Sequence, residues 1–139
     1  MLFAGICFEK LYNFWDRIGD FLNLCYQLNI PQKKIFLEKV MKQLSKIKGT
    51  SNNYVRLKEI YEKEYKDYLN VNRIKIVHYH QLDTYYWFEW VQHYDNFEYM
   101  KKLQFEKDQL PEKLNYQLSK TVKAFEFAVR LVSEYDQTF

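Results

Sequence analysis

The sequence predicts an all-α fold, an antiparallel bundle of four to six helices that forms a single domain over residues 1–139. Three glycines and two prolines in 139 residues leave few positions for the frequent tight turns of an all-β fold. Apolar residues instead recur at steps of three and four along most of the chain, which is the period of a helix. Aromatic side chains make up 19% of the residues, so the bundle has a large apolar area to bury.

The first two helices follow from apolar stripes and from the residues that interrupt them. Helix one carries a stripe from Phe8 to Leu28 and ends where NIP (29–31) breaks the period. Helix two starts at Pro31, a favoured residue in a first turn, and stops at Gly49. Its lysines outnumber its acids by six to one, and we interpret them as a solvated face rather than a track for RNA phosphates: Lys33, Lys34, Lys39, Lys42, Lys46 and Lys48.

A third helix follows the polar cluster TSNN (50–53). One of its faces pairs acids with lysines at i,i+4, for example Lys58 with Glu62, which is typical of a solvent-exposed surface. The other face is mostly aromatic and is predicted to be buried: Tyr54, Leu57, Tyr61, Tyr65 and Tyr68.

The second half of the chain is harder to divide. Asn70 and Asn72 favour a bend or a helix start, and the segment RIKIVHYH (73–80) follows them. Residues 83–105 have a helical composition, but their aromatic crowding hides the helix boundaries. Pro111 opens a last helix, which has a regular apolar stripe: Leu114, Leu118, Val122, Phe125, Val129 and Val132.

Composition and motifs exclude several classes of function. The chain contains no P-loop, no dinucleotide fingerprint, no HExxH and no CxxC, and its three histidines and scattered acids show no recognisable ligand spacing. We therefore expect neither a metal nor a cofactor.

The apolar start MLFAGICF is too short to span a membrane and lacks a basic leader, which predicts a cytoplasmic protein without a membrane partner. Cys7 and Cys25 would lie about 27 Å apart on one helix and are expected to be buried free thiols.

The residues with the clearest chemical potential are Arg73, His78 and His80. An arginine fork binds a phosphate at any working pH, while histidine takes and gives protons near neutrality. Metal-free RNA cleavage needs both roles, because the 2′-hydroxyl must lose a proton, the leaving 5′-oxygen must gain one, and the charge on phosphorus must be stabilised. The net charge of +3 is compatible with such a polyanionic substrate. Chance alone gives about 0.26 matches to an R-X4-6-H spacing in this composition, so the context must support the motif.

That context resembles the HEPN superfamily, compact helical domains whose ribonuclease members carry R-X4-6-H at the start of a later helix. Arg73 to His78 has the four-residue spacing, and Arg73 to His80 has the six-residue spacing. The segment NFWDRIGDFLN (13–23) is similar to an aromatic-Asp-x-Ile-small-x-Phe-x-Asn helix of a bacterial HEPN branch. Together the two segments extend the resemblance over most of the chain.

The resemblance implies a function. HEPN ribonucleases are usually homodimers in which two motif copies form one composite site without metal, and many act as toxins or defence effectors that an antitoxin restrains. Arg73 would then stabilise the scissile phosphate and His78 would transfer protons, leaving a 2′,3′-cyclic phosphate. Neighbouring residues that would contact the RNA are Asn72, Lys75 and Tyr79.

The choice between the two histidines stays open at this point. On a regular helix Arg73 and His78 are about 140° apart, whereas Arg73 and His80 are only about 20° apart. Same-face geometry therefore favours His80, and the family's commonest spacing favours His78. The sequence also departs from the family where Ile74, rather than a polar residue, follows the arginine, and where Tyr79 and His80 follow His78 without the usual H-X-Y order.

Other interpretations compete with catalysis. Arg73 could pair with a carboxylate beside a buried histidine, and the domain could be a non-catalytic HEPN-like module that binds a nucleotide, RNA or protein, or a helical adaptor. The aromatic run 85–88 with Trp90 could stack on bases, but burial in the core or at a dimer contact is the favoured interpretation. His93 has no evident partner in the sequence.

Overall fold

A computed structural model describes residues 2–31, 36–71 and 82–136 of the chain, and every regular element in these ranges is helical. The all-α prediction is confirmed. The elements are α1 (Leu2–Cys25), α2 (Phe36–Lys48), α3 (Asn52–Ile60), a π-helical segment π1 (Tyr61–Leu69), α4 (Leu82–His93), α5 (Phe97–Asp108) and α6 (Leu110–Asp136). None of the helices in the described ranges is long and apolar enough to cross a membrane.

Helix α1 ends three residues before the predicted boundary, and Asn23 explains how the chain leaves it. The side-chain amide of Asn23 donates to the Ile30 carbonyl at 3.0 Å and accepts from the Ile30 N–H at 3.1 Å. The loop closes through left-handed backbone at Gln27 (φ 52°) and Asn29 (φ 57°), a conformation that asparagine tolerates better than most residues. The Asn23 side chain therefore gives the Ile30 backbone the hydrogen-bond partners that a longer helix would have supplied.

Gly19 allows α2 to pack closely against α1. A Cβ atom at this position would lie 2.9 Å from Phe36 Cε1 and 3.1 Å from Leu37 Cδ1, both on buried side chains. The buried face of α2 continues from these two residues: Val40, Met41 and Leu44. The lysines of α2 that the structure describes lie away from this face, and Lys39, Lys42 and Lys46 are exposed.

Helix α3 and π1 form one continuous helical stretch, which runs antiparallel to α1. Aromatic contacts join the two, with Phe8 against Tyr68, Tyr12 stacked on Tyr65 at 5.2 Å, and Trp15 against Tyr65. The predicted aromatic face is therefore in the core. The change to π-helical hydrogen bonding after Ile60 was not predicted.

The crowded aromatic segment resolves into two helices, α4 and α5, that form a hairpin. The break falls at residues 94–96, where the Asn96 side chain accepts a hydrogen bond from the Tyr99 N–H at 3.1 Å and caps α5. Tyr99 also donates to Glu89, and its ring lies 4.2 Å from that of His93. These contacts hold the closed end of the hairpin and give His93 the partners that the sequence did not reveal.

Helix α6 buries a different face from its apolar stripe. Between the buried Leu110 and Leu131, its core contacts come from small and polar residues: Gln117, Thr121, Ala124 and Ala128. The apolar stripe from which the helix was predicted lies one residue after these buried positions in the sequence. Four of its residues are exposed: Leu118, Val122, Phe125 and Val129. Small side chains bring α6 close to its neighbours, because they let helix backbones approach, and the larger apolar residues are left at the surface.

The buried aromatic core makes the protein sensitive to alkali. Burial raises the pKa of Tyr61 and of Tyr68 to about 12 from the model-compound value of 10.0, and it raises the pKa of Tyr65 further. The folded state favours the neutral phenols, so their contribution to stability is complete below pH 10 and is lost as the pH rises through about 12. We expect the free energy of unfolding to fall in that interval.

A titration followed by tyrosinate absorbance and far-ultraviolet circular dichroism checks this expectation. The core phenols Tyr61, Tyr65 and Tyr68 should ionise together with the loss of helix signal. Ionisation of all thirteen tyrosines near pH 10 with the helices intact would contradict it.

Candidate functional site

The predicted site residues lie outside the described residues. The undescribed range 72–81 contains all of them: Asn72, Arg73, Lys75, His78, Tyr79 and His80. The structure does describe the residues on either side of this range, together with the side chains around them. These surroundings decide what kind of site the segment can belong to.

The upstream end is anchored in the core. Leu69, the last residue of π1, is fully buried, and the helical backbone continues to Val71, which is exposed. Tyr68 packs on Phe8 with ring centroids 5.8 Å apart, and the ammonium of Lys113 lies 5.9 Å from the Tyr68 ring. The chain therefore enters residue 72 from a rigid position beside the N-terminal half of α1.

The helix that follows residues 72–81 also packs in the bundle. Helix α4 packs against α1, and its Tyr86 is buried. Burial is the main cause that raises the pKa of Tyr86 to about 12, and the acidic Glu106 and the nearby phenols of Tyr85 and Tyr68 add to it. Tyr68, just before residues 72–81, and Tyr86, just after them, are thus close enough for the charge of one phenolate to affect the other.

Two helical turns before the motif, π1 buries a carboxylate. Glu64 is only 5% exposed, and its two oxygens accept hydrogen bonds from Tyr116 Oη at 2.8 Å and Gln117 Nε2 at 2.6 Å. The side-chain Oε1 of Gln117, a residue that is 3% exposed, has no hydrogen-bond partner among the described residues. π-Helical turns are often found at functional sites, and this one carries a buried polar cluster that joins π1 to α6.

Sequence reasoning missed the Glu64 cluster, although a signal was present. The acids and lysines of this helix pair at i,i+4, but Glu64 has Ile60 and Tyr68 at those positions. An unpaired acid inside an aromatic stripe indicates a buried carboxylate with a distant partner. The same reasoning could not identify Tyr116 or Gln117, which are more than fifty residues away in the sequence.

A groove opens between α4 and α5, next to the downstream end of the motif. Helix α4 contributes Tyr86, Trp87 and Trp90, and α5 contributes Met100, Leu103, Gln104 and Lys107. Tyr86 is buried, as the sequence interpretation expected, but Trp87 is 62% and Trp90 is 52% exposed. Trp87 and Trp90 therefore do not lie in the core of the folded chain, so of the interpretation favoured from the sequence only the dimer contact remains for them.

Possible metal ligands and thiols are dispersed. Among the described residues, no group of three or more histidines, cysteines or acids is placed to hold a metal ion. Cys7 is exposed and Cys25 is half-buried, so the expectation that both thiols are buried is wrong for Cys7.

The first-helix signature WDRIGDFLN has structural roles. Trp15 and Ile18 are fully buried, Gly19 admits α2, and Asn23 holds the loop at Ile30. Arg17 and Asp20 pair on the surface at 3.0 Å. The signature therefore specifies how α1 packs, which is why it accompanies the fold.

The helical architecture of the described residues and the R-X4-6-H spacing in the sequence define a class, that of all-α domains with an Arg/His motif. A family model for Cthe2314-like HEPN domains matches residues 1–129, a range that includes the whole motif segment. The chain belongs to this HEPN family, which confirms the resemblance found in the sequence. No similar curated protein or solved structure was found.

Proposed function

We propose that this protein is a metal-independent endoribonuclease that acts in the cytoplasm as one HEPN domain over residues 1–139. One observation carries the proposal: in a chain of this family, Arg73 and His78 have the HEPN ribonuclease spacing. A toxin or defence effector restrained by a protein partner is the role that such an activity would serve.

The proposed mechanism divides the reaction between two residue types. His78 removes the proton of the 2′-hydroxyl, whose oxygen attacks phosphorus, and a second imidazole protonates the departing 5′-oxygen. Arg73 stabilises the charge that develops on the phosphate oxygens. His80, or His78 of a second copy, supplies the second imidazole. The products are a 2′,3′-cyclic phosphate and a 5′-hydroxyl.

We also propose that the active form is a homodimer. The exposed stripe of α6 supports this, because its residues repeat at steps of four and three in the manner of a helix-pairing seam. In a two-fold antiparallel pairing, Leu118 faces Val129 and Val122 faces Phe125, so the stripe is complementary to itself. Phe14 of α1 extends the apolar area through an edge contact with Phe125 at 5.7 Å.

Val122→Glu tests the dimer. A charge at the centre of the stripe would have to be buried unpaired, so we expect dissociation to monomers with the helix content retained. Sedimentation equilibrium measures the oligomeric state. Lys123→Glu is the matched control, since it introduces the same side chain at the next, exposed position and should leave the dimer intact. Equal dissociation constants for wild type and Val122→Glu would contradict the assignment of this surface.

RNA cleavage in the presence of EDTA tests the catalytic proposal. A mixed-sequence single-stranded RNA should be cut to products with 2′,3′-cyclic phosphate ends, and the Arg73→Ala/His78→Ala double variant should leave it intact. Full cleavage by the double variant, or cleavage abolished by EDTA, would rule out this mechanism. A folded dimer that cleaves no RNA but retains a specific ligand would instead support a non-catalytic binding domain, which the apolar Ile74 after the motif arginine favours.

A further inference from the structure

We propose that the α4–α5 groove is a base-binding subsite, in which Trp87 and Trp90 stack on an unpaired RNA base and Lys107 binds an adjacent phosphate. This inference rests on the proposed function and extends it, because it names an unpaired base and its phosphate as the part of the RNA that is recognised beside the motif. It concerns single-stranded RNA, since bases inside a duplex cannot offer their faces to side chains.

The tryptophans are placed for binding rather than for packing. They lie three residues apart on α4, so their side chains emerge from one face of the helix. Both are more than half exposed, whereas Trp15 is fully buried in the core of the same protein. Two exposed indoles do not contribute the free energy of apolar burial that Trp15 contributes to folding. A role in binding explains why they are exposed.

The groove has the size and charge of a nucleotide site. Its cavity of about 330 Å³ lies at the small end of the range for ligand clefts, which suits one planar base and not a partner helix. Of the residues that line it in the described part of the chain, only Lys107 is charged, so the groove favours an anion. The Lys107 ammonium lies 6.0 Å from the Tyr86 ring, at the inner wall. A planar base attached to a phosphate satisfies both features.

The position of the groove links it to the motif. Trp87 follows the first residue of α4 by five positions, or about 7.5 Å along the helix axis, and the motif segment ends just before α4. An RNA strand bound at the motif would therefore reach the groove within a few nucleotides. The contacts of Tyr99 with Glu89 and His93 hold the hairpin closed at its far end, so the two walls keep their separation.

Tryptophan fluorescence provides the test, and the protein contains its own reference. Only three tryptophans are present, and Trp15 is inaccessible to a base. The full-length Arg73→Ala/His78→Ala variant is titrated with a single-stranded RNA decamer, which it should bind without cutting. We expect quenching of the exposed indoles with a residual signal from Trp15, and about tenfold weaker binding for Trp87→Ala or Trp90→Ala.

Matched controls separate the groove from general effects. Phe105→Ala removes an equally exposed aromatic side chain of α5 outside the groove and should change the affinity less than twofold. Lys107→Gln should weaken RNA binding. It should also reduce the salt dependence of the binding constant by the amount expected for the loss of about one phosphate contact, whereas Lys102→Gln on the same helix should do neither. Circular dichroism confirms that each variant is folded.

The outcomes distinguish this inference from the catalytic proposal. Stacking with no cleavage by the wild type would support the subsite and reject the nuclease. Cleavage at an unchanged rate and position by the Trp87→Ala/Trp90→Ala variant, with unchanged RNA affinity, would overturn the subsite and leave the nuclease. Conversion of the dimer to monomers by the same double variant, without any effect on RNA affinity, would make the groove a protein interface and would also overturn it.

Discussion

Arg73→Ala and His78→Ala are each expected to lower the rate of RNA cleavage by about 10²–10⁴-fold. This is the usual range for the loss of a positioned acid–base group, and the loss of a phosphate-stabilising charge is of similar size. Single-turnover rates on a defined RNA, measured in EDTA, give the value. The wild-type rate should follow a bell-shaped pH profile with its maximum near neutrality, since one imidazole must be neutral while the other is protonated.

Variants at the second histidine decide its role. If His80 supplies the second imidazole within one chain, His80→Ala will lower the rate as much as His78→Ala does. His80→Ala will then flatten the alkaline limb of the pH profile, whereas His78→Ala flattens the acidic limb. If the second imidazole is His78 of the other copy, His80→Ala will retain most of the activity. Lys75→Ala serves as a control that lies between the two motif residues in sequence. A neighbour that contacts the RNA should affect KM more than kcat.

Mixed dimers extend the test to the composite site. Refolding Arg73→Ala chains with His78→Ala chains produces heterodimers that still contain one intact arginine and one intact histidine. If the arginine of one protomer serves the histidine of its partner, cleavage will return in the mixture, although neither variant alone is active. No recovery in a mixture shown to contain heterodimers would mean either that both residues of each site lie in one chain or that the site needs His78 from both copies, and the His80→Ala result separates these two cases.

Glu64→Ala is expected to destabilise the fold by about 2–4 kcal/mol. The substitution leaves the buried Gln117 amide without its acceptor and opens a cavity between π1 and α6. Such a loss is a large share of the roughly 5–15 kcal/mol by which proteins of this kind are stable. Urea denaturation followed by circular dichroism measures it. Glu64→Gln should cost less, because its carbonyl still accepts one of the two hydrogen bonds.

Glu62 provides the matched control two residues away. Its side chain is more than half exposed and lies 3.8 Å from Lys58, so Glu62→Ala should change the stability by less than about 0.5 kcal/mol. A Glu64→Ala/Tyr116→Phe double variant then measures the coupling between the two partners. Equal effects of Glu62→Ala and Glu64→Ala would mean that the buried cluster contributes nothing to stability.

Much of the fold could be predicted from local patterns. The period of apolar residues located the helices, Gly49 marked the end of α2, and Pro111 marked the start of α6 to within one residue. The end of α1 was placed too late because the Asn23 clamp on Ile30 depends on a loop that closes in three dimensions. The buried face of α6 was hidden for a similar reason: alanine and threonine pack where helices come closest, and their hydropathy does not reveal that proximity.

Less of the candidate site could be predicted. Arg73 and the histidines were identified by chemical type and spacing, which do not depend on tertiary structure. Glu64 was missed because its partners lie on a helix more than fifty residues away. The exposure of Trp87 and Trp90 within the chain could not be predicted, because it depends on the hairpin that α4 and α5 form, which their composition does not encode.

The π-helical segment also bears on how related sequences should be aligned. The Tyr61 N–H bonds back to Leu57, four residues earlier, whereas the Asn70 N–H bonds to Tyr65, five residues earlier. The helix therefore accommodates one extra residue between these points and changes the phase at which the chain enters the motif. We expect relatives with a regular α-helix here to show a one-residue deletion within 61–69. The number of residues between the aromatic stripe and the motif arginine should then differ by one between relatives with the π-helical segment and relatives without it. The spacing within the motif should be the same in both.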